Sequence, residues 1–198
     1  AQVDLPGREI TIETPDKANA VYLAGLNLAI KDGDADFAPL VMANLILGGG
    51  SLASRLGDRV LQQEGLSYGI RSGFSAHPID DRGRLTISAI TNPNNQTKLE
   101  KAISEELNRW IEEGITEEEL KRAQQGYLQG QQLQRSNDRV LTGLIGSTLF
   151  AGRTLDYYAD LEKAIGRLYP EAVNETVRKR ISSNKLIQVF AGDVGPKE

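Results

Sequence analysis

A short stretch of period-two hydrophobicity opens this chain, and in several later segments apolar residues return every three or four positions. "REITIETP", Arg8 to Pro15, alternates apolar with polar side chains and stops at a proline, which predicts a first strand. After a turn at Asp16 to Ala18, "NAVYLAGLNLAI" is largely apolar and predicts a second, central strand. The polar connection "KDGDAD" leads into "FAPLVMANLIL", a helix with Leu40, Met42 or Ala43, and Leu47 on its inner side and glycines 48–50 stopping it. In "LASRLGDRVLQQ", Leu52, Leu56 and Val60 recur every four residues. A second helix burying that stripe follows, with Ser51 as its cap and Gly65 as its stop.

Two strands come next, "SYGIRSGFSA" and "GRLTISAIT", joined by the turn-rich "HPIDDR" and closed by "NPNN". Leu99, Ile103, Leu107, Trp110 and Ile111 then mark one face of a helix that ends at Gly114. Thr116 and Glu119 have the spacing of a capping box, so another helix starts there and runs past Gln134 until "RSNDR" interrupts it. "VLTGLIGSTLFAG", "LDYYADLEKAIGRL" and "PEAVNETVRKRI" are further helical segments, the last with Pro170 in its first turn, and "NKLIQVFAGD" is a final strand. The order ββααββ, then helices, then β lacks the βαβα alternation of a doubly wound sheet. It predicts an α+β fold, a two-layer sandwich of a mostly antiparallel sheet with helices packed on one face, as a single domain over residues 1–198.

Composition narrows the function more than the fold. With 198 residues the chain can bury a real core, and a net charge of −4 without any basic tract argues against a nucleic-acid partner. No apolar run approaches the ~20 residues of a membrane-spanning helix. There is no cysteine, so disulfides and thiolate metal sites are excluded, and His77 is the one histidine. An ordinary catalytic zinc takes three protein ligands, usually with two or more histidines among them, and this chain cannot build such a site alone. Because the first residue is Ala1 and the one methionine is Met42, the sequence is expected to begin at a processed end or an excised boundary.

"ANLILGGGSLASRLGDRVLQQEGLSYGI", "GITEEELKRAQQGYLQG" and the closing "IQVFAGDV" resemble the pitrilysin/insulinase family of zinc metallopeptidases, which includes the mitochondrial processing peptidases and many bacterial zinc proteases. The resemblance extends from about Glu9 to Val194. It implies a protein of two related halves. The front half carries the inverted motif H-x-x-E-H and a distal glutamate, the motif glutamate serving as general base on the zinc water. The back half has lost the ligands and closes over the front to enclose an unfolded peptide. This sequence has no H-x-x-E-H and so resembles the back half. The resemblance therefore implies no cofactor in this chain, zinc in a homologous partner half on the same or a separate polypeptide, and no activity for this chain by itself. Val41, Met42, Leu45 and Ile46 stand in the helix that corresponds to the zinc helix and are expected to fill a core there. A periplasmic or secreted location is implied in the same way, with the cytoplasm left open.

Back halves of active members of the family usually present an arginine and, seven positions later, a tyrosine toward the scissile carbonyl, where they stabilise the developing oxyanion. Tyr68 matches the tyrosine, and the arginine position falls on Leu61. At roughly 100° per residue Arg59 sits about 160° around a helix from Leu61, so neither it nor Arg55 is an easy substitute; Leu61 itself lies about 140° off the buried stripe, facing a cavity, a partner or neighbouring helices. The alternative for Tyr68 is structural, because period-two counting puts it on one strand face with Ile70 and Phe74. His77 beside Pro78, Asp80 and Asp81 reads as a solvated turn or as a weak metal cluster. "GGGS" reads as a hinge or as an anion cradle at a helix start, without the lysine and spacing of a phosphate loop. Glu117, Glu118 and Glu119 form an acidic first turn that suits the helix dipole. Two functions remain open: the substrate-enclosing half of a zinc endopeptidase, to which Tyr68 and the glycine-rich stretch point, and a non-proteolytic assembly or peptide-binding subunit, to which Leu61 points.

Overall fold

The strands β1 (Arg8–Glu13), β2 (Ala20–Leu28), β3 (Ser67–Ala76), β4 (Gly83–Thr91) and β5 (Ile187–Gly192) form one sheet in the order β1-β5-β2-β4-β3. The computed structural model describes residues 6–50 and 53–193. β1 runs parallel to β5 and every other pairing is antiparallel, so the first and last strands of the chain are neighbours and β2 lies in the middle. Along β2 burial alternates although the stretch is largely apolar: Ala20, Tyr22, Ala24, Leu26 and Leu28 are buried, whereas Val21 and Leu23 point to the opposite face. The fold is the expected α+β sandwich.

The helices α1 (Phe37–Asn44), α3 (Gln96–Glu112), α4 (Glu117–Arg135), α5 (Asp138–Phe150), α6 (Asp156–Gly166) and α7 (Pro170–Arg180) complete the described elements with the short α2 (Arg55–Gly57). The core between the layers is built on Tyr22, Phe190, Met42, Leu47, Leu99 and Trp110. Tyr22 donates its hydroxyl to Gln188 Oε1 at 2.7 Å, and burial, with Glu100 and Glu9 adding to it, pushes its phenol well above the ordinary tyrosine value. Gly114 takes φ +77° after α3, the left-handed turn that glycine permits, and Asn174 of α7 bonds the adjoining Ile115 N–H at 2.7 Å. The capping box at Thr116 and Glu119 is present, and the interruption in "RSNDR" falls at Asn137, which caps α5 by accepting from the N–H groups of Arg139 and Val140.

The two helices around the glycines depart from simple α geometry. α1 continues into a π turn over Leu45–Gly49, and α2 into another over Asp58–Gln63. A four-residue return such as Leu56 to Val60 fits either winding, which is why the spacing did not separate them. Leu56 and Val60 are both fully buried; Ser51 and Leu52 lie outside the described residues. The cap observed on α2 is Ser54, whose Oγ accepts the Gly57 N–H at 3.3 Å. Gly48 fixes the approach: a Cβ there would come within 2.9 Å of the Ser72 backbone nitrogen and 3.1 Å of Leu56 Cδ1. α1, β3 and Leu56 therefore meet at a point where no side chain fits.

Candidate functional site

Tyr68 sits near the start of β3, the edge strand next to β4. Pairing passes from Ser67 opposite Thr91 directly to Gly69 opposite Ile90, so Tyr68 is an extra residue in the ladder, a β-bulge. Ser67 locks the bulge: its Oγ lies 2.6 Å from the Ile90 carbonyl and accepts the Gly69 N–H at 3.2 Å. One inserted residue breaks the alternation that would have placed Tyr68 with Ile70 and Phe74. Those two remain partly buried against the core, Phe74 stacked near Phe37, while Tyr68 is 71% exposed with no hydrogen-bond partner for its phenol among the described residues. The expected shared strand face is thus corrected by the bulge.

Leu61 is half-buried in the π turn after α2. Neither nearby arginine is free to replace the missing one. Arg59 is held by Glu64 and by Glu105, the latter at 2.8 Å. Arg55 makes a two-pronged pair with Glu119, 2.7 and 2.9 Å, and donates to the Gly114 carbonyl at 2.7 Å. Burial pushes the Glu119 carboxyl up, but the Arg55 guanidinium and the bonds to Thr116 outweigh it and leave the group below its ordinary value. A depressed carboxyl stabilises the fold above its unfolded pKa, and that contribution is lost as pH falls through the folded value. Arg55→Met should cost about 1.5–3 kcal/mol at neutral pH, the range for hydrogen bonds to charged groups. It should also flatten the loss of stability on acidification. Urea midpoints taken from neutral pH downward check this, and parallel curves for both proteins would refute the assignment.

Where the zinc helix of a front half would carry ligands, α1 carries hydrocarbon. Met42 is fully buried, as expected. Ile46 is buried in the core as well, with Val41 and Leu45 partly buried against it, and Leu45 and Ile46 also line an open cavity of about 610 Å³ beside the Ala123–Gly126–Gly130 side of α4. The side chains of α1 do not fit zinc, and no group of three metal-binding side chains occurs among the described residues. The dialysed domain should bind no zinc stoichiometrically; one tightly held zinc per chain in elemental analysis would overturn that.

His77 is used by its own turn. Its Nδ1 accepts the N–H groups of Ile79 and Asp80 at 3.2 and 3.0 Å, which accounts for the "HPIDDR" stretch without a metal. Of the glycine run, Gly48 serves the close approach already described, and the helix that follows takes its cap from Ser54. The acidic residues Glu117 to Glu119 occupy the first turn of α4. One polar assembly had no signal in the sequence. Arg153 pairs with Asp32 through two bonds of 2.8 and 2.7 Å, its guanidinium 3.4 Å from the centre of the Tyr157 ring, and Tyr157 donates to the Asp32 carbonyl at 3.0 Å. The partners are 121 residues apart, and no local spacing reports such a clasp between the β2–α1 connection and the start of α6.

A family model described as the peptidase M16 inactive domain matches residues 2–127. The chain belongs to this family. The non-peptidase homolog YmxG of Helicobacter pylori is 27% identical over 173 residues, covering 86% of this chain and 39% of that protein. The uncharacterized zinc protease YmxG of Bacillus subtilis is 36% identical over 86 residues, 43% of this chain and 20% of its own length. Among solved structures, a peptidase M16 inactive domain from Pseudomonas fluorescens superposes with a TM-score of 0.84 at 25% identity, covering 97% of this chain and 44% of that one. A protease from Helicobacter pylori shares the fold at a TM-score of 0.82 and 16% identity, again covering 44% of that chain. This M16 inactive domain therefore spans less than half the length of the curated relatives it matches.

Proposed function

We propose that this M16 inactive domain is the non-zinc half of a zinc metalloendopeptidase, which closes with a zinc-bearing homologous half around an unfolded peptide. The observation that carries the reading is the bulge at Tyr68, which holds an unpaired phenol out from a sheet edge instead of packing it. A hydroxyl presented in that way is free to donate to a substrate carbonyl, and to the oxyanion that develops on it. No group of three metal-binding side chains occurs among the described residues, and in this reading the part of the domain is to bind and position. The Helicobacter pylori homolog and the Pseudomonas fluorescens chain are each more than twice its length, which leaves room for the second half. We propose in addition that the protein works in the periplasm or outside the cell, with the cytoplasm as the alternative.

A second reading, an assembly or peptide-binding subunit without peptidase activity, is favoured by Leu61 at the usual arginine position and by the non-peptidase name of the Helicobacter pylori relative. Peptide cleavage by the complete two-half protein separates the two. The first reading expects hydrolysis of an unfolded polypeptide that a chelator abolishes and that this domain alone does not perform. It also expects Leu61→Arg to raise kcat/KM, by returning a second donor to the site. Binding of the same polypeptide without cleavage, unchanged by Leu61→Arg, would establish the second.

A further inference from the structure

The backbone that carries Tyr68 is anchored two residues earlier, at Leu66. Its N–H donates to the Val60 carbonyl at 2.9 Å. Its own carbonyl receives two side-chain donors, the Thr91 hydroxyl and Asn95 Nδ2, the latter at 3.2 Å. Two donors use both lone pairs of that carbonyl. The chain enters this clamp through Gly65, at φ +60°, and leaves it into the first ladder pair of β3, Ser67 opposite Thr91. Beyond the bulge the next pair, Gly69 opposite Ile90, closes the other side. Thr91 therefore meets this segment twice, once in the ladder and once through its hydroxyl.

Neither donor is spent on its own element. Asn95 is the N-cap residue of α3, the position at which asparagine accepts from the helix's first N–H groups, yet it makes no side-chain cap there. Its amide reaches back 29 residues to Leu66 instead. Thr91 is completely buried at the last position of β4, where valine would fill the same volume with no polar group to satisfy. A strand end and a helix start thus converge on one buried carbonyl. Tyr68 is the residue with most need of such an anchor. Its phenol has no partner among the described residues, and a bulge is a point at which a strand can change register.

We propose that Thr91 and Asn95 are positioning residues for Tyr68: acting through the Leu66 carbonyl, they fix the backbone on which the bulge stands, and with it the direction in which the phenol leaves the sheet edge. The proposal rests on the reading that Tyr68 meets a substrate carbonyl. A hydroxyl without a protein partner is aimed by its backbone alone, and a displacement of about 1 Å in a group of that kind costs on the order of 100-fold in rate. Both side chains are spent on Leu66, so their part is geometric and not chemical.

Thr91→Val combined with Asn95→Leu in the complete two-half protein tests it. Below its melting temperature this double variant is expected to lose about 10- to 100-fold in kcat with KM little changed. Adding Tyr68→Phe should then cost far less than it does in the parent protein, because the hydroxyl is already misdirected. Thr91→Ser in place of Thr91→Val returns the hydroxyl and should recover part of the lost rate. A 3-fluorotyrosine at position 68 alone reports the ring directly, and its fluorine resonance should shift and broaden in the double variant whether or not the protein cleaves peptides. Losses that simply multiply between the double variant and Tyr68→Phe would reduce Thr91 and Asn95 to a structural role and overturn the proposal, as would an unmoved fluorine resonance. Cleavage that depends on Tyr68 and is indifferent to Thr91 and Asn95 would sink the clamp and leave the enclosing-half reading standing. A moved resonance in a protein whose parent cleaves nothing would keep the clamp and sink that reading.

Discussion

Tyr68→Phe should lower peptide turnover by the two-half protein about 100- to 1000-fold, the loss typical when one oxyanion donor is removed. The substitution deletes a hydroxyl and keeps the ring. Since that hydroxyl has no partner among the described residues, the fold has nothing to lose, and the melting temperature should stay where it is. The effect is expected at the upper part of that range, because Leu61 offers no second donor and Arg55 and Arg59 are both committed to carboxylates. Steady-state kinetics on an unfolded polypeptide, with thermal melts in parallel, provide the measurement. Turnover equal to that of the parent protein would return Tyr68 to an ordinary surface role.

Leu56→Ala is expected to destabilise the domain by ~2–5 kcal/mol. Leu56 is completely buried and its Cδ1 lies against Gly48, where the end of α1 presses on Ser72 of β3. Gly48 has no side chain that could swing into the vacated space. For a domain of this size each kcal/mol corresponds to roughly 2–4 °C in melting temperature. A melting temperature within a degree of the parent would mean that Leu56 does not anchor the two π-wound helices.

Most of the architecture was legible because its cause is local. The apolar run in "NAVYLAGLNLAI" marked β2 as the central strand, and the Thr116–Glu119 spacing set the start of α4. Leu56 and Val60 showed the buried side of their helix even though the winding was π, since side-chain direction survives a small change of pitch. What the sequence concealed depends on register and distance. The bulge adds one residue to β3 without altering the residue types on either side of it, and only the partner strand reveals that Tyr68 has no opposite number. The cavity beside Leu45 and Ile46 depends on how close α4 comes, and the Asp32–Arg153 clasp on a chain reversal of 121 residues. The candidate residue was therefore findable by resemblance, and its exposure was not.

The parallel pairing of β1 with β5 sets a timetable for biosynthesis. β1 is an edge strand whose one neighbour in the sheet is β5, and its own side chains are mostly exposed. When Glu13 has left the ribosome, the strand that must receive it, Ile187–Gly192, has still to be translated. At about 5–20 residues per second that wait is on the order of 10–40 s. Throughout it, β2 also lacks its β5 neighbour and offers an open apolar edge to other nascent chains. The β2–β4–β3 meander can close early, so the sheet is finished from the middle outward, and its N-terminal strand is the last to be captured.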